Sequence, residues 1–174
     1  MLTSTLRRIT TAFVFILLLS SGFAQKSQNP NDFPWKSPPK ATNWVNDFED
    51  IFTNAEERKL EKQILAFKAK TGMEIAIVTI DKRAMTAEEF DAFTLEIAKD
   101  WAFGSKEKND GMLIAISKGL RRIYIHNGIG TAEIFSDAAT AKIIDEVFIP
   151  AFKKGEYYQG TKEGLKSIIK KLKE

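Results

Sequence analysis

The stretch Gly111-Met112-Leu113-Ile114-Ala115-Ile116-Ser117, followed by Lys118-Gly119 and then Arg121-Arg122-Ile123-Tyr124-Ile125-His126-Asn127, decides the fold. Its first seven residues carry no charge and suit a strand buried on both faces. Lys118-Gly119 reads as a tight turn. Beyond it Arg122, Tyr124 and His126 alternate with Arg121, Ile123 and Ile125, the pattern of an antiparallel partner strand. Upstream, residues 73–80 form a second β-branched apolar run, and Phe90, Phe93, Ile97 and Trp101 between the two runs fall at helical spacing. Strand, helix, strand calls for a right-handed crossover, so 73–80 and 111–117 should be parallel. The expected core is a mixed sheet covered by helices, an α/β sandwich rather than a fully parallel nucleotide fold.

The helices have readable ends. Thr53 and Glu56 form a capping box that starts a helix near Asn54, with Leu60, Ile64, Leu65 and Phe67 as its core stripe and Gly72 at its C-cap. Thr86 and Glu89 repeat the box before Phe90. Ser136 or Asp137 caps a helix through about Val147, with Pro150 marking an end or a kink. A last helix from about Gln159 turns Leu165, Ile168, Ile169 and Leu172 inward and Lys166, Lys170, Lys171 and Lys173 outward. A short extra strand over 48–52 is expected ahead of the first helix.

The chain has 174 residues, no cysteine and one histidine, with 26 Lys+Arg against 23 Asp+Glu. The length fits one domain of ordinary size plus short extras. Zero Cys excludes disulfide frameworks, thiolate metal sites and cysteine nucleophiles, and His126 alone cannot build a His-rich site. A half-buried strand histidine is its ordinary role. Residues 1–24 have the layout of a secretory signal peptide: Arg7 and Arg8, an apolar run over 12–19, and small residues before a cut after Ala24. Losing those two arginines takes the formal charge from +3 to +1, which argues against a nucleic-acid domain. Residues 25–43 hold Pro30, Pro34, Pro38 and Pro39 and read as an extended tether, with Trp35 folded back on the domain. The folded unit is expected over 44–174, without a transmembrane segment in the mature chain.

Two nucleotide-like signals are decoys. Gly128-Ile129-Gly130 follows a strand, but the third glycine position is Glu133, whose carboxylate would repel a pyrophosphate. Gly155 and Gly160 resemble a Walker A loop, but Thr161-Lys162 inverts its end and a helix precedes it.

Acidic loops carry the better chemical signal. With Lys118-Gly119 as the turn, Asp110 faces Asn127 across the hairpin. The loop over 128–137, with Glu133 and Asp137, leaves from the same sheet end, and Asp47 reaches that end if 48–52 is a parallel strand. Asp47, Asp110 and Asp137 would then meet Asn109, Asn127 and loop carbonyls. Such hard oxygen donors suit Ca²⁺, or less well Mg²⁺ or Mn²⁺. Each residue also has a plain alternative role: Asp137 as an N-cap, Asn109 and Asp110 as turn formers, Asp47 as a solvated charge.

The ordered series V-N-D (45–47), G-M-E-I-A-I-V-T-I (72–80), W-A-F-G (101–104), N-D-G-M-L-I-A-I (109–116), R-R-I-Y-I (121–125), G-I-G (128–130), S-D-A (136–138) and I-P-A-F-K-K-G-E-Y-Y-Q-G (149–160) resembles the TPM-domain family over essentially all of 44–170. The resemblance implies a three-layer α/β/α sandwich on the far side of a membrane and calcium binding near the loop acids, at the positions matching Asp47, Asp110 and Asp137. It also implies acid phosphatase activity, here a metal-assisted phosphatase acting on phosphomonoesters; the acidic loop cluster without an obvious nucleophile points instead to a calcium-binding module that helps assemble or maintain an exported or membrane complex. In the phosphatase, Arg121 or Arg122 would be an anion clamp. The family often carries Glu two residues after the second glycine of G-x-G; here that position is Ala132, with Glu133 adjacent. Many members continue into a transmembrane helix. This chain is expected to be periplasmic or extracellular.

Overall fold

In the computed structural model, residues 34–173 are described; the signal-peptide reading and the first part of the tether, 25–33, fall outside them. Eleven segments of regular structure make three layers. The middle layer is one four-stranded sheet in the order β1 (Val45–Asp47), β2 (Glu74–Thr79), β3 (Gly111–Ser117) and β4 (Arg122–Asn127). The first three strands are parallel and β4 is antiparallel to β3.

Every residue of β3 is buried, as an apolar run needing cover on two faces requires. Its alternate side chains feed two separate cores. Met112, Ile114 and Ile116, with Ile75 and Ile77 of β2, pack under α1 (Asn54–Thr71) and α6 (Tyr157–Lys171). Leu113 and Ala115, with Ala76 and Val78, pack under α2 (Phe90–Trp101) through Phe90 and Ile97. The small alanines of the second core leave room for the aromatic rings opposite.

Both parallel crossovers advance across the sheet in the same direction, yet α1 and α2 lie on opposite faces. Two right-handed crossovers would have put them on one face, so one of the pair is left-handed, against the general preference. Parallel pairing of β2 with β3 holds as expected; right-handedness can hold for only one crossover.

Local signals place the helices. Thr53 Oγ1 accepts from Glu56 N at 3.3 Å while Glu56 Oε2 accepts from Thr53 N at 2.8 Å, a complete capping box that contributes about 1 kcal/mol. Gly72, in the left-handed region at φ 77°, closes α1 by donating to Lys68 O. Leu60, Ile64 and Phe67 are buried, but Leu65 is 45% exposed: it lies about 100° around the helix from Ile64, off the core face. The second box also forms, Thr86 N donating to Glu89 Oε2 at 2.9 Å.

Five expectations are corrected. The extra strand is Val45–Asp47, not 48–52, because Asp50 at φ 53° and the Asp47 carboxylate turn the chain there. The hairpin pairs Met112, not Asp110, with Asn127, because a four-residue turn, 118–121, replaces the two-residue one. The segment after Gly128 is not all loop: Ile129–Ile134 forms helix α3. Pro150 ends nothing. Helix α4 (Asp137–Ile143) widens into a π-turn (Ile144–Phe148) and continues as α5 (Ile149–Lys153), so the wider turn falls just ahead of the proline, whose ring and missing N–H a regular α-helix would not accommodate. The last helix starts at Tyr157, two residues before Gln159.

Trp35 does fold back. Its ring is 7% exposed and packs on Phe48 and Phe93 with centroids 5.3 and 5.9 Å away. Trp101 Nε1 donates to Pro39 O at 2.6 Å, which fastens the proline-rich segment along α2.

Candidate functional site

The start of β3 and the end of β4 bring three loops onto one another. Asn109, held at φ 49°, donates its N–H to Ser105 O at 2.7 Å and accepts at its carbonyl from Gly130 N at 3.1 Å. Asp110 Oδ1 accepts from Ser105 N at 2.8 Å. The glycines make this approach feasible: a Cβ on Gly111 would stand 1.9 Å from Phe103 O, and one on Gly128 would stand 2.1 Å from Asn109 O. Gly128-Ile129-Gly130 therefore seats the 108–109 backbone and is no phosphate cradle.

Asn127 ends β4 at this junction. Its Nδ2 donates to Thr140 Oγ1 at 3.0 Å and to Phe135 O at 3.3 Å, which fixes the orientation of the amide. Its Oδ1 is consequently turned away, buried and without a hydrogen-bond partner. Native structures leave few such atoms orphaned, since each costs desolvation that nothing offsets. On the α2 face of the same sheet end a cleft of about 390 Å³ is lined by Asn109, Gly111, His126, Asn127 and Gly128, and closed on the other side by α2 residues such as Leu95 and Lys99; the Asn127 amide itself is turned to the opposite face, toward Phe135 and Thr140. His126 Nε2 lies 2.8 Å from Thr94 Oγ1, and burial holds its pKa below the ordinary histidine value, opposed by nearby Asp91. Ser136, not Asp137, is the N-cap of α4, accepting from Ala139 N. Asp137 is exposed in the first helical turn, and Glu133 is exposed on α3.

Asp47 is not at this end. β1 runs parallel to β2 and pairs Asp47 with Thr79, and Thr79 pairs with Ile116, so Asp47 stands at the finish of the parallel strands while Asp110 stands at the beginning of β3. The expected convergence required a strand after Asp47; the strand comes before it. There the carboxylate accepts from Phe52 N at 2.7 Å, Ile51 N at 3.2 Å and the Thr79 hydroxyl. Among the described residues no three Asp, Glu, His or Cys side chains stand close enough together to hold an ion. The oxygen donors at the Asp110 end are therefore chiefly neutral: Asn127 Oδ1, Asn109 and backbone carbonyls, with Asp110 just ahead of β3 and Asp137 in the first turn of α4.

Glu49 escaped the sequence reading. Its two carboxylate oxygens accept from Lys118 N and Gly119 N, each at 2.7 Å, and hold the β3–β4 turn. Burial raises its pKa despite those two bonds, and Asp81 and Asp47 push the same way. No spacing rule links residue 49 to residue 118; only the parallel sheet does.

A mixed sheet between two helical layers, with glycine-joined loops meeting at one sheet end, defines an α/β/α sandwich domain. The family model for the TPM domain matches residues 45–171, and the chain belongs to the TPM-domain family. Among solved structures it is similar to the N-terminal domain of a P. gingivalis protein, at 29% identity and a TM-score of 0.67 over 75% of this chain and 82% of that one. It also resembles the BA42 protein of the psychrophilic bacterium Bizionia argentinensis, at 18% identity and a TM-score of 0.61 over 71% and 83% of the two chains. The N-terminal domain of a Corynebacterium glutamicum protein shares the fold at 12% identity and a TM-score of 0.54 over 78% and 84%. No curated protein matches significantly.

Proposed function

We propose that the protein is an exported calcium-binding module acting in assembly or maintenance of a membrane or envelope complex. The observation that carries the metal half of this reading is the buried, unpartnered Oδ1 of Asn127, at the sheet end where Asn109 and Asp110 lead into β3. A hard cation is the partner that such an oxygen lacks, and Ca²⁺ tolerates irregular sets of amide, carbonyl and carboxylate oxygens better than Mg²⁺ or Mn²⁺. With few carboxylates in reach, affinity belongs in the range of extracellular modules, a Kd of about 10⁻⁴–10⁻³ M. Calorimetric titration of the protein with Ca²⁺ tests this: heat should be lost in Asn127→Ala and Asp110→Ala and weakened in Asp137→Ala. Absence of heat in the unaltered protein would sink the reading.

The export half rests on residues 1–24, and N-terminal sequencing of the secreted protein should begin at Gln25. Among the described residues no helix is long and apolar enough to cross a membrane. The phosphatase alternative asks for a cation clamp beside the metal carboxylates. Arg121 and Arg122 lie at the turn end of the hairpin, away from Asp110 and Asp137, which favours the binding module.

A further inference from the structure

The turn end of the sheet carries a second cleft, of about 720 Å³, between the β3–β4 turn and the α5–α6 junction. Four cations line it: Lys118, Arg121, Arg122 and Lys153. No acid does, and its floor is Ile123, Ile149, Phe152 and Tyr157. Among the described residues none of the four cations makes a salt bridge. Lys118 Nζ instead sits 5.7 Å from the centroid of Tyr157, which stacks on Phe152 at 4.7 Å.

Arg121 adds an independent observation. It holds the left-handed backbone conformation at φ 54°, at the last position of the turn, where glycine or asparagine costs least. An arginine there forgoes stability while lining the cleft, and backbone strain of this kind collects at binding sites. β4 is also the edge strand of the sheet, so the cleft opens beside backbone without a sheet partner, which an extended chain can use.

We propose that this cleft binds an acidic peptide segment of a partner protein, in which carboxylates flank one aromatic or large aliphatic residue. The apolar residue lies on Phe152 and Tyr157, and the carboxylates meet Arg121, Arg122, Lys118 and Lys153. A guanidinium pairs a carboxylate through two parallel N–H bonds, which gives the arginines the larger share of selectivity. The site supplies the partner-binding half of the proposed function without depending on calcium, being at the opposite end of the sheet from Asn127.

The test uses fluorescence anisotropy of a labelled Asp-Glu-Phe-Glu-Asp peptide with the full chain, in EDTA. Binding should be at least tenfold tighter than that of Asp-Glu-Ala-Glu-Asp or of Lys-Lys-Phe-Lys-Lys, and should weaken at 300 mM salt relative to 50 mM, which is about the screening expected of partly exposed pairs. Arg121→Gly should weaken it at least tenfold while the melting temperature does not fall, separating the ligand role from a folding role. Arg122→Ala provides a second arm without the backbone change. Unchanged affinity in both variants, equal binding of the lysine peptide, or stronger binding of phenyl phosphate than of the acidic peptide would each overturn the proposal. A requirement for Ca²⁺ would overturn its independence from the first site, whereas loss of calcium heat alone would leave it standing.

Discussion

The two ends of the sheet use polar residues in opposite ways. Where the parallel strands finish, carboxylates are engaged by the protein itself: Asp47 by two backbone N–H groups and the Thr79 hydroxyl, Glu49 by the N–H groups of Lys118 and Gly119. Beyond them the turn presents cations that, among the described residues, make no salt bridge. Where β3 begins, glycines let backbones meet, and one amide oxygen is left over. The difference teaches that an acidic residue in a loop is no pointer to a metal until its hydrogen bonds have been counted. The residue with unused acceptor capacity is an asparagine.

The contrast can be attacked from either end. The largest effect should come from Gly111→Ala, whose Cβ would collide with Phe103 backbone rather than a side chain able to move. Urea denaturation should show a loss of about 3 kcal/mol, the upper range for overpacking. Asp47→Ala should cost about 2 kcal/mol, since three donors lose a charged acceptor. It should leave calcium heat unchanged; a parallel loss of that heat would mean the ends are not independent. Glu49→Ala should cost only about 1 kcal/mol, because the exposed Lys118 and Gly119 N–H groups regain water and the burial that raised the Glu49 pKa is relieved.

The smallest effect is the pH response of His126. Its folded pKa lies below the unfolded value near 6.5, so the unfolded chain takes up a proton first. The stability it contributes is present above about pH 6.5 and is lost as pH falls toward the folded pKa. Raised carboxyls such as Glu49 and Glu57 work the other way, being stabilising below their unfolded values near 4.5 and less so as pH rises. The difference in melting temperature between the protein and His126→Gln therefore isolates the histidine: the gap should narrow from pH 7.5 to pH 5.5. A constant gap would remove the assigned shift.

Much of the fold was legible because its signals are local. The Thr53–Glu56 box, the apolar runs over 73–80 and 111–117, and the inward stripe Leu165, Ile168, Ile169 and Leu172 each specify an element from a few neighbouring residues, and each element forms. Register was not legible. A turn two residues longer than expected moves the partner of Asn127 from Asp110 to Met112, and a strand that precedes Asp47 sends that carboxylate to the far end. The site depended on both, so the residue types survived while their assembly changed. The basic cleft was read only in part: Arg121 and Arg122 drew notice as a pair, but Lys153 and Tyr157 reach them only through the packing of α5 and α6 on the sheet.

The π-turn at Ile144–Phe148 amounts to an α-helix carrying one surplus residue. That surplus rotates everything after it by about 100° relative to an uninterrupted helix. The rotation decides where Phe148 points, and Phe148 is wholly buried against Gly164, where even a methyl group would stand 2.2 Å from its ring. A single-residue deletion at Asp145 would thus remove the surplus residue and unseat the ring, turning it off the α6 contact. Helical regularity and core packing are in opposition here, and the chain resolves the conflict by length: this segment should tolerate many substitutions at its exposed positions and almost no change in residue count.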